Sequence, residues 1–293
     1  MTGTRRTVFG RGRLILGYSA AAFVVWLFAL WPPPAWYRHH FPRETAFMAM
    51  RRRQAEGPEK PRRYQPVPLD QIARAMQDAA LVGEDHRFYV HGGLDFQEIR
   101  KALGYRRDDF TWSDPKDRSE FRRALGGAWD RRDRVRGAST ITQQLAKNLY
   151  LSPSRNPLRK VKEIVTAWRL EAALGKPRIL ELYLNVVELG PEIWGVEAAS
   201  RAYFRRPAKS LTNDQAASLA ATLPSPLRAN PGSRAGRIRW RQQLILRRMR
   251  GEILEVPPEE ETDGRADGRS DGQTDSVPPP PALRFQAADT LPR

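Results

Sequence analysis

Two carboxylates and a histidine stand close together in Glu84-Asp85-His86-Arg87-Phe88-Tyr89-Val90-His91-Gly92-Gly93-Leu94-Asp95, where an apolar helical pattern ends. A carboxylate beside a phenylalanine at the edge of a core is poorly solvated, a setting that makes Glu84 a candidate general base at neutral pH. The same residues read equally well as a helix C-terminus followed by a turn at Gly92 and Gly93. A second cluster, Arg136-Gly137-Ala138-Ser139-Thr140-Ile141-Thr142-Gln143-Gln144-Leu145-Ala146-Lys147-Asn148, feeds hydroxyls, amides and a lysine into a helix start. Free backbone N–H groups there favour an anion, and Ser139, Gln143, Gln144 and Lys147 are candidates to bond sugar or phosphate. Thr140 and Gln143 also make an ordinary capping box that needs no ligand. In a third cluster Arg155, Arg159 and Glu163 follow one another at i+4, so a helix starting at Asn156 and Pro157 sets two guanidiniums around one carboxylate. Arginine placed before glutamate is the weaker order for a surface pair, and cations near a helix N-terminus oppose the macrodipole, so the stripe suits a bound anion better. Lys160 and Lys162 fall on other faces and read as solvated.

The elements that must position these clusters are nearly all helical from about Pro68 to Met249, with hardly any strand alternation. Asp70 reads as an N-cap ahead of Ile72, Ala75, Met76 and Ala79 at helix spacing, and Asp95 with Glu98 reads as an acidic relative of the capping box ahead of Phe96, Ile99 and Leu103. The helix opened by Thr140 and Gln143 buries Ile141, Leu145 and Leu149, which turns Gln144 and Asn148 onto a neighbouring face. Further helices start at Pro157, Pro177 and Thr212.

The chain of 293 residues carries 50 Lys and Arg against 33 Asp and Glu, a formal charge of +17 that calls for an anionic partner. That partner is nucleic acid, an anionic leaflet or a pyrophosphate; no zinc spacing or nucleic-acid motif is present, so nucleic acid is not expected. There is no cysteine, which excludes disulfides and thiol chemistry. Arg5, Arg6, Arg11 and Arg13 precede an uncharged apolar run from Leu14 to Trp31, long enough to span a bilayer, with Trp31, Trp36 and Tyr37 as an aromatic belt. By the positive-inside rule residues 1–13 are cytoplasmic, 14–31 a transmembrane helix, and the rest lies beyond the inner membrane. Residues 32–66 read as a proline-punctuated stalk, 67–250 as the folded domain, and the Pro-, Asp- and Gly-rich residues 251–293 as a disordered tail.

Together the three clusters closely resemble the glycosyltransferase domain of peptidoglycan synthases, specifically the monofunctional biosynthetic transglycosylases. The resemblance runs in family order over roughly residues 67 to 231. It takes in Glu84-Asp85-x-x-Phe88-x-x-His91-x-Gly93-x-Asp95, Gly137-Ala-Ser139-Thr140-Ile141-Thr142-Gln143-Gln144-x-x-Lys147-Asn148 and Arg159-Lys160-x-x-Glu163. It continues through Ile179-Leu180-Glu181-x-Tyr183-Leu184-Asn185, Gly195-Val-Glu-Ala198-Ala199 with Tyr203-Phe204, and Leu223-Pro224-x-Pro226. It implies a mostly α, lysozyme-like domain behind one N-terminal transmembrane helix. It also implies polymerisation of lipid II into glycan strands with inversion, releasing undecaprenyl diphosphate. On that resemblance Glu84 is the general base and Glu163 the second carboxylate, placed near the pyrophosphate directly or through a divalent cation, Mg or Mn. Lys147, Arg155 and Arg159 neutralise the pyrophosphate, Ser139, Gln143 and Gln144 line the sugar and phosphate sites, and Asp85, Phe88, His91 and Asn185 hold the loops in shape. Lipid II, the growing strand, the inner membrane and other cell-wall synthesis proteins are the partners implied.

The stretch from Lys101 to Arg136 is longer than the family pattern. Phe121, Leu125 and Trp129 recur there every four residues among arginines, which fits either a basic amphipathic segment on an anionic membrane or a mobile insertion. Ser113-Asp-Pro-Lys116 and Ser154-Arg-Asn156 mimic penicillin-binding transpeptidase motifs, but no Lys-Thr-Gly accompanies them. Two other readings compete: a membrane-tethered module that binds anionic glycan or lipid without catalysis, and a lysozyme-like lytic transglycosylase.

Overall fold

The computed structural model describes residues 17–55, 61–102, 111–126, 139–151, 157–233 and 235–252. Residues 1–16, Arg155, Trp129 and the tail from residue 253 onward lie outside the described residues, and with them the readings of a cytoplasmic N-terminus and a disordered tail. Everything described below belongs to one compact unit, Met1–Val256.

The helices are α1 (17–28), α2 (Ala46–Gln54), α3 (Arg74–Glu84), α4 (Phe96–Ala102), α5 (Pro115–Gly126) and α6 (Ile141–Tyr150). They continue with α7 (Pro157–Leu174), α8 (Lys176–Val186), α9 (Val196–Phe204), α10 (Asn213–Thr222) and α11 (Arg239–Met249). Strands β1 (Arg63–Tyr64), β2 (Glu188–Gly190) and β3 (Ile193–Trp194) make a small sheet with β3 in the middle, parallel to β1 and antiparallel to β2. The fold is thus mostly α.

Two helix groups build the core. In the first, α6 packs against α7 and α8, and α8 is buried nearly all round through Ile179, Leu180, Leu182, Tyr183, Leu184 and Val186. In the second, α10 packs against α3 and α11. Its buried Ala216, Ala217, Ala220 and Ala221 are small, so the neighbouring helices approach closely. Gly83 in the last turn of α3 faces both partners: a Cβ there would lie 3.2 Å from Ile245 Cδ1 of α11 and 3.9 Å from Ala220 Cβ of α10. The end of α3, and with it Glu84, is therefore fixed by packing before any polar contact is counted.

Local expectations fare unevenly. Thr140 caps α6 and Thr212 caps α10, each in a reciprocal box with the glutamine three residues on. Ile141, Leu145 and Leu149 form the buried stripe of α6 as the spacing predicts. Asp95 accepts the Gln97 and Glu98 N–H groups at 3.0 and 3.1 Å and so caps α4, although Phe96 beyond it is exposed. Asp70 caps nothing: it lies in a 3-10 turn over Leu69–Gln71, and α3 begins only at Arg74. The Gln77 side chain there donates to the Leu69 and Ile72 carbonyls, stabilising the tighter turn instead.

Residues 32–55 and 61–66 do not stand off as a stalk. Tyr37 and Met48 are buried, α2 packs on α6, and β1 completes the sheet. Two arginines tie the segment down and a third holds the end of α1: Arg38 donates to the Ala173 carbonyl at 2.6 Å, Arg178 to the Tyr37 and His40 carbonyls at 2.7 and 2.9 Å, and Arg169 to the Phe28 carbonyl at 2.7 Å. The expected span 14–31 is helical over 17–28, and among the described residues no helix is long and apolar enough to cross a membrane.

Gly195, at the head of α9, holds φ +79° with its N–H on the Val187 carbonyl at 2.8 Å, and a Cβ there would strike the Asn185 carbonyl group. Because Asn185 in turn bonds the Val67 N–H and carbonyl at 2.8 Å each, displacement would propagate to the chain entering α3. Gly195→Ala is expected to cost about 3 kcal/mol, combining a left-handed alanine with a backbone clash. Differential scanning fluorimetry should read this as a fall in Tm of roughly 5–10 °C.

Candidate active site

Glu84 is the last residue of α3, and its side chain is 11% exposed. One carboxylate oxygen accepts from Arg241 Nη2 at 2.8 Å and the other from Gln144 Nε2 at 2.9 Å. Gln144 is oriented in turn by Tyr183, whose hydroxyl donates to Gln144 Oε1 at 3.0 Å. Burial, reinforced by the nearby Glu84 charge, pushes the Tyr183 phenol well above its ordinary range, so the tyrosine remains a donor. A fixed donor at Oε1 leaves the Gln144 amide only one orientation, with its NH2 toward Glu84. Four helices, α3, α6, α8 and α11, thus converge on one carboxylate that keeps a small exposure to solvent.

The next residue does different work. Asp85 accepts from the Ile141 N–H at 2.9 Å, and His91 Nε2 lies 2.9 and 3.0 Å from its two oxygens. The anion expected at the start of α6 is therefore partly the protein's own: Asp85 occupies one of the free N–H groups there. The Thr140 hydroxyl donates to the Gly93 carbonyl at 2.7 Å and draws the same loop onto the helix. Phe88 is buried against His91 and Tyr89, with Lys176 Nζ 4.4 Å above its ring. These contacts lock the loop, and through α6 they hold Gln144 in place against Glu84.

Glu163 is 5% exposed and paired through one oxygen with Arg159 at 2.8 Å and through the other with Lys160. Lys160 Nζ also reaches Ser139 Oγ at 3.3 Å, so it bridges the second and third clusters rather than lying solvated on another face. The i+3 spacing to Glu163 was as visible as the i+4 spacing of Arg159 and pointed the same way. Lys162 is on another face as expected, but it stacks 4.6 Å from the Trp26 ring rather than standing free in water. Lys147, three residues after Gln144 on α6, feels both Glu163 and Glu84; burial pulls its ammonium below the usual lysine range, Glu163 opposes this, and Arg159 and Lys160 add to it.

The structure brings together Glu84, Gln144 and Lys147 on one side and Glu163, Arg159, Lys160 and Ser139 on the other, with Lys147 coupled to both carboxylates. Gln143 is apart: it is buried and its Oε1 accepts the Thr140 N–H at 3.0 Å, closing the cap rather than lining the cleft. Asn185 sits behind the site, tying Val67 to α8. Arg241 and Tyr183 were assigned no role from sequence, and for Arg241 the one indication is that it shares a face of α11 with the buried Ile245, one turn on. A divalent cation needs several oxygen ligands. Among the described residues no three His, Asp or Glu side chains gather to supply them, and both Glu163 oxygens face cations, so these residues do not fit a metal site built by protein alone.

Comparison with known proteins places this arrangement. A family model described as Transglycosylase matches residues 51–114 and 108–250. A biosynthetic peptidoglycan transglycosylase of Bordetella pertussis is 39% identical over 240 residues, covering 81% of this chain and 90% of the relative. One from Thiobacillus denitrificans is 39% identical over 241 residues, covering 81% and 94%, and one from Pasteurella multocida is 44% identical over 186 residues, covering 64% and 66%.

Proposed function

Because the chain belongs to the transglycosylase family of peptidoglycan-building glycosyltransferases, we propose that it polymerises lipid II into glycan strands with inversion at the donor sugar. Glu84 takes the proton of the acceptor 4-hydroxyl as that oxygen attacks the donor C1. The bond from C1 to the diphosphate oxygen breaks, and undecaprenyl diphosphate leaves with the electron pair. Lys147 and Arg159, with Arg155 and the bridging Lys160, carry the diphosphate charge, and Glu163 holds the cations in register. Ser139 and Gln144 face the sugar–phosphate path. The oxygens of a bound diphosphate would have to complete the shell of any Mg or Mn ion beside Glu163, so the charge is assigned here to side chains.

The observation that carries this reading is that Glu84 is held by Gln144 of α6, the helix that also carries the buried Lys147, whose ammonium feels Glu163 and, more weakly, Glu84, so a base adjoins a cationic shelf. Inverting displacement needs that pairing, a base on one face and charge stabilisation on the other. A lytic enzyme of similar shape works on preformed glycan and has no diphosphate to hold, so it has no use for the cations gathered around Glu163. A purely binding module has no use for a carboxylate oriented from four helices.

For location we propose a single-pass inner-membrane protein with a cytoplasmic N-terminus and a periplasmic catalytic domain. The uncharged run 14–31 after four arginines supports it, as do the exposed Phe23, Val24, Val25, Trp26 and Phe28 of α1. The growing strand, the membrane and other cell-wall synthesis proteins are the partners of such an enzyme. The test is detergent-solubilised protein incubated with lipid-linked disaccharide pentapeptide and, separately, with preformed glycan. Long strands from the first and no change in the second are expected. Shortened preformed strands would establish the lytic reading, and bound but unreacted lipid the binding module.

A further inference from the structure

We infer that Arg241 is a positioning residue for this reaction: from the last described helix it fixes one oxygen of Glu84 so that the other presents its free lone pairs to the acceptor hydroxyl. The inference rests on the reading of Glu84 as the base.

Arg241 reaches Glu84 across 157 residues of sequence, with a single nitrogen, Nη2, donating to the Gly83 carbonyl at 2.9 Å and to the Glu84 carboxylate at 2.8 Å. Seven residues on, Arg248 Nη1 donates to the Val82 carbonyl at 3.1 Å. Two arginines of α11 thus cap successive carbonyls at the C-terminus of α3, where the helix dipole favours positive charge. Both do structural work, but among the described contacts only Arg241 also holds the carboxylate. Its geometry favours that second duty, because among the described residues Arg241 Nε is buried without a hydrogen-bond partner. An orphaned buried donor is destabilising, so the placement is poor for stability and is explained by what Nη2 reaches.

The charged and titratable groups facing Glu84 are Asp85 beside it on the chain, Lys147 from α6, Tyr183 from α8, and Arg241 with Arg248 behind it from α11. Of these, Arg241 is the cation in direct contact.

The test compares wild type, Arg241→Gln, Arg241→Lys, Arg248→Gln and Glu84→Gln for strand synthesis, with kcat, KM and thermal unfolding recorded for each. Arg241→Gln is expected to lower kcat about tenfold at nearly unchanged KM. Arg248→Gln should lower Tm and leave kcat near the wild-type value. A single nitrogen makes both contacts, so Arg241→Lys, which keeps the charge and a donor, should recover part of the lost kcat. A folded Arg241→Gln with wild-type kcat overturns the inference, and so does the same fall in kcat in Arg248→Gln. If Arg241→Gln does not fold, the lysine variant decides: a lowered kcat at unchanged KM and Tm supports the inference, and a kcat that stays at the wild-type value or falls only in step with Tm overturns it. No polymer from the wild type removes the reading of Glu84 itself, whereas polymer from wild type and Arg241→Gln alike, with none from Glu84→Gln, removes only the role of Arg241.

Discussion

Glu84→Gln lowers strand synthesis by about 10²–10⁴-fold, the range expected when a positioned general base is removed. The change conserves shape, but it does not conserve the hydrogen bonds. Gln144 Nε2 and Arg241 Nη2 both donate to the carboxylate, and glutamine offers them one acceptor oxygen and one NH2 group. Gln144 can relieve the conflict only by turning over, and the Tyr183 hydroxyl then loses the carbonyl to which it donates at 3.0 Å. One donor is left facing a donor, at about 1–2 kcal/mol, so the variant should unfold a few degrees earlier than wild type while remaining folded at assay temperature. Rates are therefore to be normalised to folded protein, read from the unfolding curve of the same sample. A loss below about tenfold after that correction would remove Glu84 from the chemistry and leave it as a structural anchor for α11.

The parts of this site that depend on short-range rules were open to inspection of the sequence, and those that depend on convergence were not. Thr140 and Gln143 sit three residues apart and bond each other, so the start of α6 and its buried stripe follow from spacing alone. Gln143 was open to two readings, ligand-facing or capping, and its Oε1 accepts the Thr140 N–H at 3.0 Å, the cap that turns the side chain inward. Asp70 has the right type for a cap, yet Ala73 N–H bonds the Ala208 carbonyl at 3.1 Å, a tertiary contact that holds the chain where α3 begins. Residues 32–55 are pinned through backbone carbonyls, those of Tyr37 and His40 by Arg178 of α8 and that of Ala173 on α7 by their own Arg38, and backbone acceptors leave no trace in residue type. Arg241 is hidden for a related reason. Arginine is abundant in a chain with a +17 charge, and nothing near residue 241 indicates that its partner lies on α3. The catalytic motif marks which carboxylate matters, and only the packing of α10 and α11 around Gly83 reveals what holds it.

Glu163→Gln tests the cationic side of the site, and its signature lies in the pH dependence. Burial lowers the Lys147 pKa, and Glu163 is the largest influence raising it again, against Arg159 and Lys160. Without the carboxylate the two neighbouring cations act unopposed, and Lys147 loses its proton at still lower pH. If a protonated Lys147 holds the diphosphate, the basic limb of the rate profile should move to lower pH. Activity near pH 7 should also fall roughly tenfold to a hundredfold, because Arg159 and Lys160 are no longer held in register. Stability should respond with the opposite sign. A lysine whose folded pKa lies below its unfolded value binds more protons unfolded than folded in that interval, so its contribution to stability rises with pH. The lost ion pairs cost on the order of 1–2 kcal/mol, a fall of a few degrees in Tm, modest because Arg159 and Lys160 are partly open to solvent. Rate and Tm measured together from pH 7 to 10 therefore separate the mechanisms: a rate that falls while Tm holds or rises identifies deprotonation of Lys147, and parallel loss of both would reduce Glu163 to a structural tie within α7.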